Sequence, residues 1–177
     1  MVTEPAEHAG TDADAALTVT PGCALAVMTA DCAPVALLAD EAVGVVHGGW
    51  RGLLAGIVEQ AVDAIRTLGA GPSLRAVIGP CIRAGCYEFR GSERDALAAR
   101  YGDAVLAETM WGTPALDVVA GVEAALAAAG IGAVQIGGGC TACDRTWFSH
   151  RARGDAGRQA AFVWRSDPRA APTAVRE

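Results

Sequence analysis

The apolar positions of the chain fall first into short runs and then into a helical stripe. Residues 24–28, 35–38 and 43–47 are each about the length of a buried strand. Asp40-Glu41 predicts a hairpin turn between the second run and the third. Ahead of them, residues 1–16 are polar and rich in Ala and Gly, and read as an irregular lead-in. From 53 to 68 the period changes. Apolar residues at 53, 54, 57, 58, 61, 62, 65 and 68 make one stripe at helical spacing, with Gly69 placed to end it. Residues 74–78 predict another buried strand, stopped by Gly79-Pro80. Ser92 is placed to cap a helix running to about 101, and Asp117 to cap one ending before Gly130. Strands at 134–136 and 161–164 complete the set. The pattern predicts one domain over 1–165 and a frayed tail over 166–177. Strands and helices mix without strict alternation, so the expected fold is an α/β (α+β-like) sandwich: a mixed sheet packed with helices.

Composition narrows the chemistry. Apolar residues make up 52% of the 177, which is ample material for a core. All 14 basic residues are arginine. Without lysine, Schiff-base chemistry and a P-loop are excluded. Asparagine is also absent, which excludes a Cys-His-Asn triad. The net charge of −6 comes with no basic run, so a nucleic-acid partner is not expected. The start carries no apolar signal segment, and no stretch of 18 uncharged apolar residues occurs. A cytoplasmic protein without a membrane partner is expected, with its six cysteines mostly reduced.

The densest chemistry lies in Thr29-Ala30-Asp31-Cys32-Ala33-Pro34 and His47-Gly48-Gly49-Trp50-Arg51-Gly52. If the two strands pair about Asp40-Glu41, Cys32 and His47 lie side by side. A thiolate and an imidazole suit Zn²⁺ and also copper. Three readings stay open from these residues: a metal pair, a Cys-His nucleophile pair, or two structural residues. Gly48-Gly49 admits close approach of a ligand. Arg51 and a helix start near Gly52 make an anion cradle. Gly79, Glu88, Cys140, Thr141, Ser149 and Arg151 fall in further glycine- and cysteine-rich blocks and, with Trp50, are candidate pocket residues. Cys140-x-x-Cys143 with Cys81-x4-Cys86 also has the outline of a four-cysteine zinc site, the second spacing being loose.

Taken in order, TADCAPVALL, VVHGGWRGLLAGIV, IGPCI…CYEF and CTACDRTWFSHRARGDAGRQAAFVW resemble the YfiH family. That family is also known as the laccase-domain, polyphenol-oxidase or peptidoglycan-editing-factor family. The resemblance implies a sandwich related to cysteine-hydrolase-like toxins. It implies a zinc or copper ion, with the TADC cysteine falling on Cys32 and the HxGWRG histidine on His47. The family's other ligand lies in an upstream Q-x-H-G block. No such block occurs here, and His8 in Glu7-His8-Ala9-Gly10 is not given the role. The chain is therefore expected to lack the family's N-terminal part. The implied activity is purine nucleoside phosphorylase, acting with phosphate on adenosine, inosine and methylthioadenosine, together with adenosine deaminase. Cys32, His47 and Arg51 would be catalytic. The alternatives are a polyphenol oxidase, a peptidoglycan-precursor amidase using Cys32 and His47, and an inactive member.

Overall fold

The computed structural model describes residues 1–3 and 12–166. His8 and the expected tail beyond Ser166 lie outside the described residues. The backbone is a five-stranded mixed sheet built from β1 (Ala15–Thr18), β3 (Ala33–Leu38), β4 (Val43–Gly48), β5 (Arg75–Ile78) and β8 (Val134–Ile136), in the order β1-β4-β3-β5-β8. The first three pairings are antiparallel, and β5 with β8 is parallel. A two-stranded ribbon of β2 (Leu25–Thr29) and β9 (Gln159–Val163) packs beside it, and β6 (Leu106–Glu108) pairs with β7 (Pro114–Leu116). The mixed sheet with helices is the class that the sequence pattern predicts.

The sheet has apolar cover on both faces, which is why β4 reads as an unbroken apolar run. Val46 joins the main core, with Val58, Val62 and Ile65 of α2 (Ile57–Thr67) and Val122 and Leu126 of α4 (Val118–Ala128). Val43 and Val45 join a second core with Cys23, Leu25 and Val163 beneath the ribbon. A strand buried on both faces loses the alternation of a half-exposed one.

The Asp40-Glu41 turn is closed by the Ala39 N–H donating to the Ala42 carbonyl at 3.0 Å. Residues 53–68 are not one helix. α1 (Trp50–Ala55) starts three residues earlier than the stripe suggests. Gly56, with φ 77°, then breaks the chain before α2. Both segments keep their apolar face on the core, so hydrophobic spacing alone does not reveal the break. Gly69 is left-handed at φ 95°, as its place after the helix requires. Ser92 does not cap α3 (Ser92–Tyr101). Gly91 holds the cap position, and the Ser92 hydroxyl donates to Glu93 instead. The end of the expected irregular lead-in runs into β1, which pairs with β4 along Ala15–Val46 to Thr18–Val43. Four residues are too few for a periodic signal.

Asp117 caps α4, its Oδ1 accepting from the Val119 and Ala120 N–H groups at 3.0 Å each. Asp117→Ala is expected to lower stability by about 1 kcal/mol, read by urea denaturation. No change in the midpoint would show that the cap carries no weight here. Among the described residues, no helix is long and apolar enough to cross a membrane.

Candidate active site

Hairpin register builds the site. Pro34 pairs with His47 and Ala33 with Gly48. Cys32, just before β3, therefore faces Gly49, just after β4. A Cβ on Gly49 would lie 3.2 Å from Cys32 Sγ and 3.8 Å from His47 Nε2. The backbone there is extended, so glycine is needed for space rather than for conformation. It keeps open the gap between sulfur and imidazole. The other ring nitrogen of His47, Nδ1, donates to Asp14 Oδ1 at 3.2 Å. The carboxylate fixes the tautomer and leaves the Nε2 lone pair free toward the gap.

The pocket around this pair measures about 300 Å³. Cys32, His47, Trp50 and Arg51 line it, with Asp14, Tyr87, His150 and Arg151. The Arg51 guanidinium carbon sits 4.2 Å from the Trp50 ring centroid, and that of Arg151 sits 5.1 Å from Tyr87. Two cations on aromatic platforms thus border the sulfur. Burial pushes the Cys32 thiol up, and the Asp31 and Asp14 carboxylates add to this, while Arg158 and Arg51 pull it down. A thiol raised by burial is a poor unaided nucleophile, and a bound cation would be needed to hold it as thiolate.

Asp31 organises the floor. It is the non-glycine residue with positive φ among the described residues, at 95°. It is only 6% exposed. Its Oδ1 accepts from the Thr141 hydroxyl at 2.7 Å and the Ser149 hydroxyl at 2.6 Å, and its Oδ2 from the Arg151 N–H at 2.7 Å. One carboxylate so ties the β2–β3 turn to the loop after β8 and to the start of α5 (His150–Arg153).

A larger cavity of about 740 Å³ adjoins the pocket, with Cys86, Glu88, Trp111 and Cys143 in its wall. Arg151 lines both. Glu88 is held below its usual range, first by the Arg90 hydrogen bond at 2.8 Å and then by Trp111 and Thr113.

The predicted pocket residues therefore separate. Trp50 and Arg151 join Cys32, His47 and Arg51, and Glu88 lies in the adjoining cavity. Thr141 and Ser149 are fully buried and do not line either cavity. Their hydroxyls donate to Asp31 instead. Gly79 also lines neither, and its missing side chain lets the backbone pass Pro34, whose Cγ would be 2.8 Å from a Cβ. Cys140 instead joins a sulfur cluster with Cys86 and Cys143. The helix start that the sequence places near Gly52 lies at Trp50. Asp14, Tyr87 and Arg158 were not given a site role from sequence, and His150 was noted only as one of three histidines. Asp14 precedes the strand whose pairing was illegible, and the others follow loops that only the fold brings together.

Cys32 and His47 suit two positions of a zinc or copper site. The Asp14 carboxylate behind the His47 ring and the open space at Gly49 fit that use. Among the described residues, no third His, Cys, Asp or Glu groups with them within 4.8 Å.

Relatives match along most of the chain. A purine nucleoside phosphorylase of Streptomyces griseus is 45% identical over 155 residues, covering 85% of this chain and 62% of the relative. The crystal structure of the Bacillus licheniformis protein YfiH superposes with a TM-score of 0.78 at 34% identity, covering 86% of this chain and 61% of that one. The Neisseria meningitidis protein NMB0706 gives 0.80 at 33%, covering 94% and 71%. The chain thus spans about three-fifths of the curated relative it matches. The family model described as multi-copper polyphenol oxidoreductase laccase matches residues 1–166. With the shared fold and this match in agreement, the chain belongs to the multi-copper polyphenol oxidoreductase laccase family.

Proposed function

We propose that the pocket at Cys32 and His47 is the centre of a metal-dependent purine nucleoside phosphorylase that also deaminates adenosine. Adenosine, inosine and methylthioadenosine are the proposed nucleosides, and phosphate is the co-substrate. One observation carries the reading: a thiol and a free imidazole nitrogen converge on the space left by Gly49, between two aromatic-backed arginines. The relatives named purine nucleoside phosphorylase support it.

Arg51 and Arg151 present guanidinium groups that bind and orient a phosphate dianion in the pocket. Trp50 and Tyr87 offer ring faces for a purine. Asp14 holds the His47 ring so that Nε2 points into the pocket. Cys32 and His47 would hold a zinc or copper ion, which supplies Lewis-acid activation when bound. Asp31 acts as a positioning residue, since it fixes the Arg151 backbone and the turn that ends at Cys32. In phosphorolysis the phosphate oxygen bonds to the anomeric carbon as the glycosidic bond breaks and the purine leaves with a proton.

Incubating adenosine with and without phosphate and separating the products tests this. Phosphate-dependent release of adenine is expected, with inosine forming independently of phosphate. No adenine from protein supplied with zinc or copper would overturn the phosphorylase reading. The oxidase alternative has less support, because a multicopper centre asks for more imidazoles than three histidines supply. The raised Cys32 thiol also weighs against a metal-free amidase.

Gly49→Ala is expected to lower turnover at least about tenfold, since its methyl group enters the gap between sulfur and imidazole. Stability should change by less than about 1 kcal/mol, because the backbone is already extended. Full turnover in this variant would count against the gap as the reaction centre.

A further inference from the structure

Three sulfurs outside the proposed reaction meet beside the larger cavity. The Sγ atoms of Cys86, Cys140 and Cys143 all lie within 4.8 Å of one another, and those of Cys86 and Cys143 are 3.1 Å apart. They come from two segments far apart in sequence. Cys86 ends a 3₁₀ turn after β5, and Cys140 and Cys143 follow β8. Parallel pairing of β5 with β8, extended by a bridge between Cys81 and Cys140, brings the segments together.

The local backbone is shaped around the sulfurs. Cys143 and Asp144 donate their N–H groups to the Cys140 carbonyl at 3.2 and 3.0 Å, closing a tight turn over Cys140-x-x-Cys143. The Arg83 N–H donates to Cys140 Sγ at 3.3 Å. A backbone donor aimed at a sulfur helps it carry negative charge in a partly buried place.

We propose that Cys86, Cys140 and Cys143 form a second metal site, a three-thiolate cluster for a thiophilic cation of the zinc or copper(I) class. A tetrahedral zinc with bonds of about 2.3 Å sets its sulfurs about 3.8 Å apart, so the cluster needs shifts of less than about 1 Å. Cys81, which the sequence spacing offers as a fourth ligand, is fully buried, and its sulfur stands outside the group. Cys86 and Cys143 both line the larger cavity, so the remaining coordination position is open to a water or small molecule there. Thiol protons pass to solvent as the cation binds. Thr141 lies between two of the ligands and donates to Asp31, so a cation here tightens the same loop that supports the Cys32 pocket. The proposal does not depend on the reaction assigned to that pocket.

The full chain, freed of metal and fully reduced, is titrated with Co²⁺ under anaerobic conditions. A near-ultraviolet thiolate-to-cobalt band is expected in the wild type and in Cys32→Ser. It should need at least about tenfold more Co²⁺ when Cys143→Ser or Cys86→Ser is added to Cys32→Ser, a background whose pocket offers no thiolate, because each thiolate holds a large share of such a site's affinity. Cys143 is exposed, so that variant tests the site even where Cys86→Ser folds poorly. Displacement of cobalt by Zn²⁺ or by Cu⁺ supports the proposal and separates the two cations. Absence of the band from the wild type, its loss in Cys32→Ser, or an unchanged titration when Cys143→Ser is added to Cys32→Ser would overturn it.

Discussion

Cys32→Ser should reduce kcat/KM for phosphate-dependent adenine release from adenosine by about a thousandfold. The variant keeps the shape of the pocket but exchanges a soft thiolate ligand for a hydroxyl that zinc and copper bind poorly. Losing the cation forfeits several kcal/mol of charge stabilisation, and about 4 kcal/mol corresponds to the stated factor. The thiol sits at a strand end in a solvent-reached pocket, so stability should move by less than about 1 kcal/mol. Kinetics and urea denaturation on the same preparation separate the two effects. A folded variant within about threefold of wild-type turnover would exclude Cys32 from the chemistry.

The largest loss of stability is expected from Asp31→Ala, at about 3–5 kcal/mol. Three donors, the Thr141 and Ser149 hydroxyls and the Arg151 N–H, would lose their shared acceptor in a buried place. Alanine would also have to adopt the left-handed backbone that Asp tolerates better. The melting temperature should fall by on the order of 10 °C. Asp31→Asn keeps one acceptor oxygen and the backbone tolerance, so it should cost about half as much. Equal losses in the two variants would show that the charge, rather than the acceptor geometry and backbone, governs this position. A melting point unchanged in Asp31→Ala would remove Asp31 from its supporting role.

Much of the frame was legible along the chain. The runs at 35–38 and 43–47 with the Asp40-Glu41 turn predicted the hairpin whose register sets Cys32 beside Gly49 and His47. Asp117 announced its own helix, because a cap acts within three residues. Local signals failed where a competing partner lay elsewhere. The break at Gly56 hides inside a continuous apolar stripe, and β1 is stabilised by β4 rather than by its own four residues. The site followed the same division. Cys32, His47, Trp50 and Arg51 flank one hairpin and could be seen together. Thr141 and Ser149 lay in a suggestive block, yet only the fold reveals that both hydroxyls donate to Asp31.

By itself, then, the order of residues determined most of the strands and helices and the hairpin that carries Cys32 and His47 at its open end, all of which depend on short-range spacing and hydrophobic period. Tertiary structure alone decided that Asp31 binds groups 110 to 120 positions away and that Cys86 meets Cys140 and Cys143 while Cys81 does not. Those meetings depend on β5 lying parallel to β8, a contact between distant segments that neither segment encodes locally.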